Sequence, residues 1–373
     1  MSSPEQRLSP DMCEHGNFRN TCTKCNARSV LGIKREDFTG MVQSFRGKQV
    51  IRYEQGEKAI FSKLATRHNG SGENINRLKH ERDILEKMHD TGISPKVISY
   101  KEYGEDKARL LIEELSGKSV DKMPLQEKKE FAQKNAKDIV RETGRVLSEI
   151  HKLGIFVVDV NEGTFLFNTE EDNVLGVSVL DLEFAIDTES ANEEDFQESF
   201  AHFKKGDLGF MLAEQEGTAL PENEELLRKA ELYKWANTMK RTLIGKHANL
   251  EISKSKQEHL VAYQERIRPV LERKLLERAA RIFTKIQARN SESDSVSIVK
   301  GLDKYSEDYV RKSIKYEQYV AGMTYTFPEL CKANGVDIPE QYAEFIAQCL
   351  NLDINLRPDS LEGLVNKEVT EQG

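Results

Sequence analysis

Two short apolar runs, each ending in an acidic side chain, constrain this 373-residue chain more than any other feature. The first is Ile155-Phe156-Val157-Val158, which follows a helix end and the turn at Gly154 and delivers Asp159. A polar loop, Val160-Asn161-Glu162-Gly163-Thr164, is then closed by Phe165-Leu166-Phe167. The second run, Val177-Ser178-Val179-Leu180, ends in Asp181-Leu182-Glu183-Phe184-Ala185. Strands that place carboxylates at their ends suit metal and phosphate chemistry. Two such groups can neutralise Mg²⁺, orient an attacking hydroxyl and accept its proton. The plainer alternative is a pair of buried strands ending in solvated acids.

The order of these residues resembles the protein-kinase superfamily, with its catalytic loop H-R-D-x-x-x-x-N and metal loop D-F-G. The resemblance places Asp159 on the catalytic Asp and Asp181 on the Mg²⁺-binding Asp. Val157-Val158 stands for His-Arg, Thr164 for the metal-binding Asn, and Asp-Leu-Glu for Asp-Phe-Gly. Asn161 is a second neutral oxygen donor for Mg²⁺ beside Thr164. Upstream, Ile60-Phe61-Ser62-Lys63 resembles the V-A-I-K strand, and Glu81 falls on the following amphipathic helix, where kinases pair it with the strand lysine. Glu113-Glu114-Leu115-Ser116-Gly117 looks like the hinge whose backbone, at Glu113 and Leu115, meets the adenine ring. The Gly-rich loop G-x-G-x-x-G is absent; only Gly40 and Gly47 lie nearby. Near the end, Asp353, Arg357 and Pro358 fit the x-x-D-x-x-x-R-P close of a protein-kinase carboxy-terminal lobe. Asp207 resembles the Asp that opens a large-lobe helix and braces the catalytic loop.

The resemblance implies an α+β, bilobed protein-kinase-like fold, with a small antiparallel sheet lobe and a large helical lobe. It implies ATP and Mg²⁺ as cofactors and transfer of the γ-phosphoryl group to a protein Ser or Thr. Lys63 would then position the nucleotide phosphates, held by Glu81. The competing readings are a pseudokinase used as a binding module and a nucleic-acid-binding protein.

At the other end of the chain, Cys13, His15, Cys22 and Cys25 give C-x-H-x6-C-x2-C, four ligand types within thirteen residues. This spacing suits a closed tetrahedral Zn²⁺ site, and a segment so short has no apolar core to fold it otherwise. It also resembles short zinc repeats that carry Gly16 and Arg19; the alternative is a free tail with incidental cysteines. The expected organisation is a zinc module over 1–30, an amino-terminal lobe over 31–115, and a carboxy-terminal helical lobe over 116–373. The last contains a basic helical insertion at about 222–320.

Within that insertion, residues 228–289 hold 16 Lys and Arg against 6 Asp and Glu, in a chain of net charge -8. Arg273, Lys274 and Arg278 on an outer face suit nucleic-acid phosphates or an acidic partner, or else a solvated face docked on the core. The acidic stretch Asp187 to Glu198 reads as a disordered loop in the position of a substrate loop. Five cysteines and no apolar run of about 18 residues point to a reducing, cytoplasmic setting without a membrane span.

Overall fold

The computed structural model describes residues 38–45, 48–55, 58–67, 72–204, 207–221, 223–245 and 327–365, and the single positions 265, 269 and 273. The proposed zinc ligands Cys13, His15, Cys22 and Cys25 lie outside these residues, as do Lys274 and Arg278. The chain divides into two compact units: Met1–Ser116 with Leu180–Glu183, and Gly117–Val179 with Phe184–Gly373.

The first unit is an antiparallel sheet and one helix. β1 (Phe38–Phe45), β2 (Lys48–Gln55), β3 (Lys58–Thr66), β4 (Val97–Tyr103) and β5 (Lys107–Glu113) stand in the order β1-β2-β3-β5-β4. Their β-branched and aromatic residues suit a pleated, packed surface. Helix α1 (Glu73–Lys87) lays Leu78, Glu81, Ile84 and Leu85 inward. It turns at Gly92, whose φ of 69° a residue with a side chain rarely adopts. The face opposite the one that carries Lys63 holds Ile51, Tyr53, Ile60, Leu64 and Leu111, and is buried as well.

The second unit is mainly helical. β6 (Lys118–Ser119), β8 (Phe165–Glu170) and β9 (Asn173–Val179) form one small sheet, and β7 (Ile155–Phe156) pairs with β10 (Ile186–Asp187). Helix α2 (Leu125–Lys152) starts after Pro124, and its stripe of Phe131, Ala132, Ile139, Val140, Leu147 and Ile150 is buried. Each large apolar side chain so buried contributes about 1.5–3 kcal/mol. Asn135, at a kink in α2, donates from Nδ2 to the Phe131 and Asp172 carbonyls and accepts from the Val174 amide. It thereby fixes the β8–β9 hairpin against the helix.

The remaining helices are α3 (Glu193–Lys204), α4 (Leu208–Glu216), α5 (Asn223–Ile244), α6 (Phe327–Ala333), α7 (Glu340–Cys349) and α8 (Glu362–Val365). Trp235 of α5 is fully buried and donates from Nε1 to Thr143 Oγ1 of α2 at 3.0 Å. Among the described residues no helix is long and apolar enough to cross a membrane.

Three expectations are corrected here. The acidic stretch after Asp187 is not a disordered loop, because its second half begins α3. Asn192 Oδ1 accepts from the Glu194 and Asp195 amides, and the Asp195 carboxylate in turn accepts from the Asn192 amide. That reciprocal cap and the acids of the first turn favour a helix start. Residues 223–244, assigned to a basic insertion, instead form a helix of the core. Asp207, expected beneath the catalytic loop, is bound by both nitrogens of the Arg357 fork at 2.5 and 2.7 Å. Arg357 also donates to the Asn351 carbonyl and stacks on Tyr233, 4.5 Å from the ring centre. Gly209 permits this approach, since a Cβ there would lie 2.3 Å from an Arg357 nitrogen.

Candidate active site

The first unit brings Lys63, Glu81 and Asp181 together. Lys63 lies in the middle of β3, between Val50 and Leu110 of the neighbouring strands. Its ammonium meets Glu81 Oε1 at 2.6 Å and Asp181 Oδ1 at 3.7 Å. The Glu81 side chain is 2% exposed and that of Asp181 61%. Burial alone would lower the Lys63 pKa, but Glu81 and then Asp181 outweigh it and hold the ammonium above its usual value. Burial pushes the Glu81 carboxyl up against the pull of Lys63, and Asp181 adds to the rise. The result is a fixed cation with one inward anchor and one solvent-facing anion.

Asp181 has φ 61°, in the left-handed region that non-glycine residues rarely occupy. The other non-glycine residues with positive φ among the described residues, Glu171 and Asp172, form the tight turn between β8 and β9. Asp181 has no such turn to serve, and strain of this kind gathers at functional positions. Two residues on, Glu183 holds Lys48 at 2.5 Å. At the end of β5 the amides of Glu113 and Glu114 are spent on the Lys96 and Ala59 carbonyls. The amide of Leu115 donates to no backbone carbonyl among the described residues, so of the expected hinge pair Leu115 keeps a donor and Glu113 does not.

The second unit holds Asp159 in a tightly wired loop. The Thr164 hydroxyl donates to the Asp159 carbonyl at 3.2 Å and accepts from the Asn161 amide at 3.0 Å. Asn161 Nδ2 donates to the same carbonyl at 2.9 Å, and its Oδ1 accepts from the Gly163 amide. From α2, Lys128 grips Glu162 at 2.6 Å. Thr164 is 1% exposed, and its hydroxyl hydrogen and one of its two lone pairs are used inside the loop, which the hydroxyl thereby fastens. Asn161 is exposed, and its carbonyl oxygen keeps a second lone pair.

Sequence reasoning missed the group beneath this loop. Glu231 of α5 is fully buried, accepts the Val157 amide and pairs with His151 Nε2 at the end of α2. Thr238, two turns along α5, donates to the Val160 carbonyl at 3.3 Å. One carboxylate thus joins α2, the strand leading to Asp159 and α5. The signal was present: Leu227, Glu231 and Trp235 recur four residues apart, an acid within an apolar stripe, and a buried charge requires partners. Val157 and Val158, in the places of His and Arg, are both buried, Val158 in the core cluster with Phe156, Ile186 and Phe210.

Among the described residues no group of three or more His, Cys, Asp or Glu side chains is placed to hold a metal ion. The exposed, hard carboxylate of Asp181 beside a fixed ammonium nevertheless suits a Mg²⁺–triphosphate. Asp181 would hold the ion, Lys63 the phosphates.

A model of the Kdo family, described as the lipopolysaccharide kinase (Kdo/WaaP) family, matches residues 53–216. This stretch contains Lys63, Glu81, Asp159 and Asp181, and is under half of the chain. No curated protein sequence gives a significant match. Among solved structures, a crystallographic kinase domain is similar at 13% identity and a TM-score of 0.47, covering 88% of this chain and 93% of its own. The PK-1 kinase of Cydia pomonella granulovirus is similar at 11% identity and a TM-score of 0.44, covering 88% and 92%. With its five-stranded sheet and single helix, the β3–α1 ion pair and the mainly helical second unit, the chain has a kinase-like phosphotransferase fold.

Proposed function

We propose that the chain transfers the γ-phosphoryl group of Mg-ATP to a hydroxyl of a basic polypeptide. The observation that carries this reading is the Lys63–Glu81 pair, its carboxylate buried, with the strained, exposed Asp181 beside it. Asp159 takes the acceptor proton as the acceptor oxygen bonds to the γ-phosphorus. The bond from that phosphorus to the β–γ bridging oxygen breaks, and ADP leaves. Mg²⁺ supplies charge neutralisation on the phosphates. Lys63 positions the α- and β-phosphates, and the Leu115 amide meets the adenine.

The preference for a basic acceptor rests on charge near the catalytic loop. β10 pairs with β7, three residues before Asp159, and from Asp187 to Glu198 the chain carries six acids and no Lys or Arg. Such a surface attracts cationic and repels anionic acceptors. A second reading, a sugar hydroxyl as acceptor, is favoured by the match to the lipopolysaccharide kinase family.

Labelled ATP offered with a basic Ser/Thr peptide, its acidic counterpart and a Kdo-bearing lipopolysaccharide separates these. We expect the basic peptide to be labelled at least about tenfold faster than either, since 1.4 kcal/mol of charge preference suffices. Labelling confined to the lipopolysaccharide would replace the acceptor assignment. ATP binding without any transfer, to these or to itself, would make the chain a pseudokinase.

A further inference from the structure

The sequence lacks a Gly-rich loop to cradle nucleotide phosphates, and the first unit holds a second cation on the same sheet face as Lys63. Lys48 opens β2 and pairs with Phe45 at the end of β1. In the β2–β3 register Lys48 stands opposite Ala65 and Val50 opposite Lys63. Side chains two apart on a strand share a face, so Lys48 and Lys63 project from the same face of the sheet. Diagonal neighbours of this kind have their backbones about 7–8 Å apart, within the span of long side chains gripping adjacent phosphates.

Lys48 is also fixed. Its ammonium meets Glu183 Oε2 at 2.5 Å, with the two side chains 30% and 20% exposed. Glu183 is two residues beyond Asp181, whose carboxylate lies 3.7 Å from Lys63. Two ammonium groups and three carboxylates (Glu81, Asp181, Glu183) thus form one half-buried constellation. A plain surface ion pair would contribute little and need no fixed register. Here each lysine is anchored by a carboxylate of its own, which pre-orients the ammonium before any anion arrives.

We propose that Lys48 is a second phosphate-binding residue, taking the place of the absent glycine-loop amides, with Glu183 as its positioning residue. Ammonium and backbone amide are interchangeable here because both donate hydrogen bonds to phosphate oxygens, the ammonium adding a full charge. The proposal rests on the reading of the first unit as the nucleotide-binding lobe.

The test is equilibrium binding of ATP, ADP and adenosine, with Mg²⁺, to the full chain and to the Lys48→Met, Lys48→Arg, Glu183→Gln and Lys63→Met variants. Lys48→Met should weaken ATP at least tenfold, ADP less, and adenosine not at all, with the melting temperature unchanged. Lys48→Arg should recover most of the loss. Glu183→Gln should reproduce part of the ATP defect while sparing adenosine. An equal loss for ATP and adenosine would show a merely structural role and overturn the proposal. So would ATP affinity that falls in Lys63→Met but not in Lys48→Met, which would leave the nucleotide-lobe reading standing. No ATP binding by the unmodified chain would remove both.

Discussion

Asp181→Asn is expected to slow phosphoryl transfer by about three orders of magnitude, or ~4 kcal/mol of transition-state stabilisation, with the fold retained. Asn is the informative substitution because it tolerates the left-handed backbone that Asp181 adopts at φ 61°. Alanine would add backbone strain to the loss of charge. The Asp181 side chain is 61% exposed, so its removal opens no cavity in the core. Lys63 has its own anchor in Glu81 at 2.6 Å, which the substitution leaves in place. The checking measurement is single-turnover transfer from labelled ATP, alongside thermal melts. Transfer at the unmodified rate with an unchanged melt would show that Asp181 is not the metal-holding group.

The second large effect is on stability. Arg357→Leu leaves the Asp207 carboxylate buried without its fork and is expected to cost about 3–5 kcal/mol. Asp207 and Arg357 are both fully buried, and the Arg357 side chain also binds the Asn351 and Lys229 carbonyls. For a unit of this size the loss corresponds to roughly 10 °C in melting temperature. Asp207→Asn is milder, since the amide keeps an oxygen for the Gly209 amide while losing the charge. Leu and Asn together should cost less than the sum of the two single changes, because no lone charge then stays buried. Melts of the two single variants and the double variant check this. A loss under about 1 kcal/mol for Arg357→Leu would mean that water reaches Asp207.

Where a functional signal lies within a few turns of chain, the sequence was legible. The β3 strand and the α1 helix follow from alternation and helical spacing, the pairing of Lys63 with Glu81 came from the resemblance to the kinase superfamily, and the structure brings the pair to contact. Helix α2 was equally readable from its apolar stripe. The long-range partners were not. Glu231 lies 74 residues from the amide it holds, and Arg357 lies 150 residues from Asp207. No local periodicity encodes either pairing; only the isolated acid in an apolar stripe hinted at the first.

Thr164 was placed by its alignment on a ligand position; the loop hydrogen bonds that its buried hydroxyl makes were not legible in any local pattern. The acidic stretch was misread because its charges were weighed without the Asn192 cap, which makes the same acids favourable at a helix start.

The most direct measurement of the central claim is titration of the full chain with ATP, with and without Mg²⁺, repeated on Lys63→Met. The account predicts saturable binding that Mg²⁺ strengthens and that Lys63→Met weakens at least about tenfold, since a partly buried, carboxylate-fixed ammonium bound to phosphate is worth more than 1.4 kcal/mol. Binding that is indifferent to both Mg²⁺ and Lys63, or no binding, would contradict it.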